Sequence, residues 1–340
     1  MTTLRDPAAE SALLLDPTRW SVSGRRTVLS TADRLAADVH AGLTQSPPTL
    51  PARWFYDERG SKLFDDITRL PEYYPTRRET EILVEHAADV VTLTAATTLV
   101  ELGSGTSAKT RLLLDAFSQR GALTFVPIDI SVEVLTATAQ RIADDYPAVT
   151  VQAIVADLDD PFGRLPGAPG ERLVAFLGGT IGNYNAEGRA AFFARLRDSL
   201  DPGDHVLLGA DLKKDPARLV AAYDDSAGVT AEFNRNLIEV LRRELDAAGL
   251  DPADFDHVAR WNDEVGQIEM WLRARREIRA TFRAIDLEWS LPKGEEMLTE
   301  ISAKFDLPSL HDELALHGFG LTKPWTDPAG DFSLSLLVAR

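Results

Sequence analysis

The sequence predicts an α/β protein: a doubly wound parallel sheet with helices on both faces, plus an inserted α+β unit. Three observations point there. Between residues 77 and 213, short β-branched or apolar runs alternate with helical stretches, as in a parallel sheet with crossover helices. One strand-length run ends in Gly103-Ser104-Gly105 ahead of helix-forming sequence. The alternation then breaks at about residue 214, for a stretch too long to be a loop.

Taking the chain in order, residues 1–30 read as an irregular lead-in. Residues 31–43 form a helix with Leu35, Ala36 and Val39 on one face, and the proline-rich 44–51 is loop. The next segment is crowded with aromatics: Trp54, Phe55, Tyr56, Phe64, Tyr73 and Tyr74. They make either an ordinary core patch or a pocket wall whose phenols serve as polar handles. Tyr73-Tyr74-Pro75 cannot lie inside a helix, because a residue before proline is pushed toward extended geometry. A helix over 77–91 leads to a strand at 97–102. Thr106 or Ser107 then caps a helix with Ala108, Leu112 and Ala116 on one face. Strands follow at 123–130, 149–155, 172–177 and 205–208, and Ser131 caps a helix to about residue 146. Past the break come helices over 215–224 and 229–248, then β-rich stretches over 267–275 and 278–288. A last strand, 332–339, returns to the main sheet. The division is 77–213 plus 305–340 for the sheet domain and 31–76 plus 214–304 for the second unit.

Ligands of such sheets bind outside the carboxyl ends of the strands, where the strand order switches. Glu101, Asp129, Asp157, Asn183 and Asp211 all fall there. The loop G-S-G-T-S-A is close to the dinucleotide fingerprint, in which glycines admit the ligand and free N–H groups at a helix start face it. Glu101, two residues before the first glycine, favours a cationic ligand over a pyrophosphate. S-adenosylmethionine (SAM), with an ammonium, a sulfonium and no phosphate, therefore fits better than NAD. A turn with no ligand is the plain alternative. Asp129 lies 24 residues past Gly105, which fits the place of a ribose-binding carboxylate, expected roughly 20 residues on.

Composition narrows the classes. The 340 residues are 44% hydrophobic, enough for a sizeable core. A net charge of −17 with no basic run argues against a nucleic-acid substrate. There is no cysteine, which excludes disulfides, thiolate metal sites and cysteine nucleophiles. No apolar run reaches the roughly 20 residues of a membrane span, and no signal peptide is seen. The cytoplasm is the default location and the composition permits a monomer.

Seven long words then carry a resemblance: WFYDERGSKLFDDITRLPEYYPTR, LVELGSGTSAKT, FLGGTIGN, AYDDSAGVTAEFNRN, IEMWLR, GEEMLTEISAKF and WTDPAGDFSLSL. Mixed polar and aromatic words are far more specific than a glycine loop. The chain resembles the L-histidine Nα-methyltransferases of ergothioneine biosynthesis, from about residue 30 onward. The resemblance implies a class I SAM-dependent methyltransferase, Rossmann-like, with an added substrate domain, and trimethylation of histidine to hercynine without a metal. It places SAM at Tyr56, Gly103, Lys109, Asp129, Asp157 and Leu158, the last a phenylalanine in many relatives. Asp129 would take the ribose hydroxyls, Asp157 the adenine amine and Lys109, on the first helical turn, the carboxylate. It places histidine at Tyr73, Gly178, Asn183, Tyr223, Met270, Glu300 and Ser302. Glu300 and Ser302, two apart on one strand face, would hold the two ring nitrogens. Tyr73 and Tyr223 would take the carboxylate, and Asn183 the α-amine.

Each has a blander reading: a solvated helix face for Lys109, a turn for Asn183, an edge-strand pair for Glu300 and Ser302, core packing for Met270. Asn183 and Tyr56 are the expected catalytic residues, as orienters of the amine. None of the six histidines lies in a matched motif as a base, so the amine proton would leave through water or a tyrosine hydroxyl. The alternatives are a SAM-dependent N-methyltransferase for another amino acid or small amine, an NAD-dependent dehydrogenase, and a silent SAM-binding regulator.

Overall fold

A computed structural model describes residues 12–16, 19–24 and 30–340. Strands β1 (Ala12–Asp16) and β2 (Trp20–Gly24) form a hairpin. Helix α1 (Thr31–Leu43) follows, capped by Ser30, whose hydroxyl accepts from the Asp33 N–H. A 3-10 turn (Ala52–Phe55) and α2 (Glu58–Ile67) lead to α3 (Pro75–Thr94), with Pro75 in the first turn, where a missing N–H costs nothing. The sheet segment then runs β3 (Thr98–Leu102), α4 (Arg111–Ser118), β4 (Leu123–Asp129), α5 (Val132–Asp145), β5 (Val149–Val155), β6 (Arg172–Phe176), α6 (Ala186–Asp198) and β7 (His205–Asp211). After it come α7 (Pro216–Tyr223), α8 (Val229–Glu244), β8 (Ala247–Ala248), β9 (Phe255–Asn262), β10 (Gln267–Ala274), β11 (Ile278–Phe282), β12 (Leu287–Leu291) and β13 (Glu296–Ala303). Helix α9 (Leu307–Leu316) and strands β14 (Phe319–Thr326) and β15 (Phe332–Ala339) close the chain.

The main sheet has the order β1-β2-β5-β4-β3-β6-β7-β15-β14. From β2 to β7 all neighbours are parallel, while β15 and β14 add antiparallel at one edge and β1 at the other. The chain order reverses between β3 and β6, so the switch point lies at the glycine loop. Leu99 and Val100, neighbours on β3, belong to opposite hydrophobic cores, as the two-residue period of a strand covered on both faces requires. A third core draws its buried side chains from residues 35–74 and 219–297. It lies with two small sheets, β13-β10-β9 and β12-β11-β8.

Several expectations are corrected. Residues 12–16 and 20–24 are strands of the main sheet rather than irregular lead-in, β2 pairing with β5 along Trp20–Gly24; the rest of 1–30, apart from Arg19 in the turn and Ser30 at the cap, falls outside the described residues. Tyr74 is helical in backbone (φ −74, ψ −25), not extended; the helix nevertheless begins at Pro75. Helix α4 starts at Arg111, not at Thr106 or Ser107, because residues 103–110 form an irregular turn with Ser107 at φ +51. Its buried face is accordingly Leu113, Leu114 and Phe117, with Leu112 and Ala116 at the margin. The stretch 278–288 is two paired strands, because Asp286, with φ +49, reverses the chain.

The fold also buries a guanidinium. Arg172, fully buried at the start of β6, pairs with Asp201, with Asp204 at 3.0 Å, and donates to the Leu165 carbonyl at 3.0 Å. Arg172→Met leaves Asp204 buried beside no cation, and we expect about 3–5 kcal/mol of lost stability. Urea denaturation reads this as a fall in midpoint.

Candidate active site

The glycine loop is held by its neighbours rather than by sequence alone. The N–H groups of Gly103 and Ser104 both donate to the Ile128 carbonyl at the end of β4. Gly103 and Gly105 have φ of +66 and +48, which side chains resist. Beside Gly105 a side chain would meet nothing within 4 Å, so the loop leaves room for a ligand. Glu101 is buried and accepts from the Ser107 hydroxyl at 2.6 Å and from the Thr110 hydroxyl. Burial pushes its carboxyl up to about 7, against the pull of those two bonds. Glu101 therefore fastens the turn 103–110. Asp129 accepts from the Gly105 N–H at 2.8 Å and the Ser131 N–H at 3.1 Å. Each oxygen keeps capacity for one further hydrogen bond.

Lys109 lies in the turn before α4, not on its first turn, and pairs with Glu79 of α3. Glu79 is fully buried and also accepts the Gly178 N–H on both oxygens, at 2.8 and 2.9 Å. The loops after β3 and β6 are thus tied through one carboxylate. Asp157 is buried and engaged: Arg34 lies at 3.0 Å, Arg53 at 3.5 Å, and the Asp159 N–H donates at 2.8 Å. Arg53 also holds Asp38 and Asp159, and Arg34 holds Asp160. These pairs clamp α1 and the 3-10 turn over the loop after β5. Leu158 packs 3.6 Å from the side-chain position of Gly103.

The second group converges on β10 and β13. Met270 is buried and stands opposite Glu300 in their register. The 3-10 turn Thr180–Asn183 presses against β13 so closely that a side chain on Gly182 would come within 2.8 Å of the Ala303 carbonyl. That contact brings Asn183 to the same place. Asn183 and Glu300 line an open cavity of about 510 Å³, walled by residues 38–52, the loop after β6 and β13. Aromatic rings run along the site: Tyr56 to Phe64 at 5.6 Å, Phe64 to Tyr73 at 6.2 Å, Tyr73 to Tyr223 at 6.1 Å. Trp54 and Phe55 are buried core, so the aromatic word divides between core and wall.

Burial pushes the Glu300 carboxyl up to about 7, partly opposed by Lys304. It has no hydrogen-bond or ion-pair partner among the described residues. Tyr56, Tyr73 and Tyr223 are all raised well above 10, first by burial and then by surrounding charge that includes Glu300. Tyr56 keeps 38% of its surface exposed, yet its hydroxyl feels both Glu300 and Asp129. It stands where the two groups of residues meet.

Behind Ser302 lies a network the sequence reading missed. Tyr223 and Ser302 hydroxyls are 2.8 Å apart, and Lys304 donates to both. Lys304 also pairs with Asp211, which accepts from the Tyr74 hydroxyl and pairs with Lys214. Burial lowers the pKa of Lys214. Two ammonium groups thus meet at one carboxylate behind the tyrosines. The signal for Lys304 was present: it continues the two-residue period of Glu300 and Ser302. Arg34, Arg53 and Glu79 carry no comparable signal, since each pairs across a large sequence distance.

Comparison with known proteins accords with this arrangement. The family model described as histidine-specific, SAM-dependent methyltransferase matches residues 35–339. A histidine N-alpha-methyltransferase of Mycolicibacterium smegmatis is 52% identical over 310 residues, 91% of this chain and 96% of that protein. One of Mycobacterium tuberculosis is 52% identical over 89% of this chain and 94% of its own length. Ergothioneine biosynthesis protein 1 of Neurospora crassa is 36% identical over 56% of this chain and 22% of its own. With the glycine loop at the switch point of the sheet and the match spanning both groups of site residues, the chain belongs to the histidine-specific, SAM-dependent methyltransferase family.

Proposed function

We propose that the protein trimethylates the α-amino group of L-histidine to hercynine with SAM as methyl donor, the first step of ergothioneine biosynthesis. The observation that carries this is Glu300: a carboxylate with no partner of its own among the described residues, lining one cavity with Asn183 and two residues from Ser302 on β13, in a chain 52% identical over most of its length to proteins named for that activity. An acceptor without a partner in the protein rejects ligands that cannot satisfy it.

The residues divide as the two groups suggest. Gly103, Lys109, Asp129, Asp157 and Leu158 cradle the donor; Tyr73, Gly178, Asn183, Tyr223, Met270, Glu300 and Ser302 hold histidine; Tyr56 stands between. Asp157 must share its oxygens between Arg34, Arg53 and the adenine amine. Residues 31–76 with 214–304 form the histidine unit, supported by their common core, and 77–213 with 305–340 the donor unit. When bound, SAM supplies an electrophilic sulfonium methyl. The chain's own task is to hold a neutral amine in line with it, and such positioning can be worth up to ~7–11 kcal/mol. Each transfer forms an N–C bond as an S–C bond breaks, and the nitrogen sheds one proton before each attack. The raised phenols do not ionise near neutral pH, so they bind as neutral hydroxyls, Tyr73 and Tyr223 at the carboxylate and Tyr56 beside the amine, and leave the amine's proton to water. The protein acts as a cytoplasmic monomer on this reading; among the described residues no helix is long and apolar enough to cross a membrane.

Turnover of a panel of amino acids and small amines with SAM tests the substrate: histidine should lead it, and preference for another amine would favour the runner-up N-methyltransferase. Tyr56→Phe should slow the second and third methylations more than the first, because it removes the hydroxyl oxygen beside a nitrogen that loses its N–H donors and ends as a fixed cation. Quantifying mono-, di- and trimethylated products over time checks this; equal slowing at all three steps contradicts it.

A further inference from the structure

Lys304 has no role in the scheme above. Its ammonium is buried at the end of β13, 2.9 Å from the Tyr223 hydroxyl, 2.8 Å from Ser302 Oγ and 2.9 Å from Asp211. An ammonium has three N–H donors, and each here has one acceptor. The two hydroxyl oxygens it pins lie 2.8 Å apart. Oxygens that close need a proton between them, so one hydroxyl donates to the other. The receiving hydroxyl keeps a free O–H and the giving one keeps a free lone pair. The pair therefore offers a ligand one donor and one acceptor, never two donors.

We infer that Lys304 is a positioning residue that fixes the protonation in which the histidine ring is held; this rests on the placing of histidine proposed above. A carboxylate only accepts, so at Tyr223 it takes that residue's O–H. Ser302 then gives its proton to Tyr223 and faces the ring as an acceptor. Glu300 is a second acceptor. The ring must bring an N–H to Ser302, and one more proton must lie between the ring and Glu300. In the complex, ring and Glu300 together hold two protons. Free at pH 8 they hold about one, since a histidine ring titrates at about 6.5 and Glu300 at about 7. The groups facing Glu300 are Lys304, the phenols of Tyr56, Tyr73 and Tyr223, which are neutral at this pH, and across the cavity Asp38, which is paired with Arg53.

Calorimetric titration at pH 8, in two buffers of different ionisation enthalpy, reads the proton uptake. The probe is the Nα-trimethylated product, whose nitrogen has no proton of its own to lose. The wild-type chain should take up close to one proton. In Lys304→Met the two hydroxyls are released to donate separately, Tyr223 to the carboxylate and Ser302 to a neutral ring. Uptake should then fall toward zero. The KM for histidine should rise by about tenfold or more, as for a lost charged hydrogen bond, with kcat changed by less than about threefold. If the methionine variant fails to bind SAM, Lys304→Gln, uncharged but of similar length, is read in its place with the same expectations. No uptake by the wild type, or equal uptake by wild type and variant, overturns the role given to Lys304. Failure of the wild type to methylate histidine would instead overturn the reading beneath it.

Discussion

Replacing Glu300 by alanine should lower kcat/KM for histidine by about 10²–10⁴-fold and leave SAM affinity within about twofold. The carboxylate is the pocket's acceptor with no partner of its own among the described residues, and its removal leaves a bound ring N–H without a partner. The loss should fall mainly on KM, since the ring lies far from the reacting nitrogen. Steady-state kinetics with histidine and a direct SAM titration separate the two effects. The same residue should carry a stability cost. Its carboxyl is raised from 4.5 to about 7 by burial, so the fold disfavours its charged form. That penalty is absent below about pH 4.5, grows as pH rises to 7 and is complete above it. Glu300→Gln should therefore melt higher than wild type at pH 8, by roughly 1–3 kcal/mol of stability, and match it near pH 4.5. A variant that is both less active and more stable would mark Glu300 as retained for binding.

The second large effect belongs to Asp129→Ala. We expect SAM affinity to fall by about 30–100-fold, the worth of two or three kcal/mol, with equilibrium binding as the measurement. Two losses add there. The ribose hydroxyls lose their acceptor, and the Gly105 N–H loses the bond that shapes the loop. Asp129→Asn, which keeps an acceptor oxygen, should recover part of the affinity. Equal loss in both variants would assign the effect to charge alone.

Much of the sheet was legible because its signals are local. Strand β5 and helix α1 run over the residues their patterns delimit, and Ser131 caps α5 as a serine before a helical run should. The errors have non-local causes. Helix α4 begins late because Glu101, on the preceding strand, ties down Ser107 and Thr110. Strand β2 looked irregular because a short WSVSG says little until β5 is there to pair with it. The site divides in the same way. Its glycine loop and acids could be read from spacing, and Glu300 with Ser302 from resemblance. Glu79, Arg34, Arg53 and Lys214 could not, since each matters only through a partner that the fold brings from elsewhere.

The central claim is that the β13 pocket takes the imidazole and so leaves the α-nitrogen, not a ring nitrogen, facing the methyl donor. Turnover of ¹⁵N-histidine with ¹³C-methyl-labelled SAM, followed by NMR and mass spectrometry of the product, tests it most directly. The account predicts three labelled methyl groups, all bonded to the α-nitrogen. Label on a ring nitrogen, or no transfer to histidine while another amine is methylated, would contradict it.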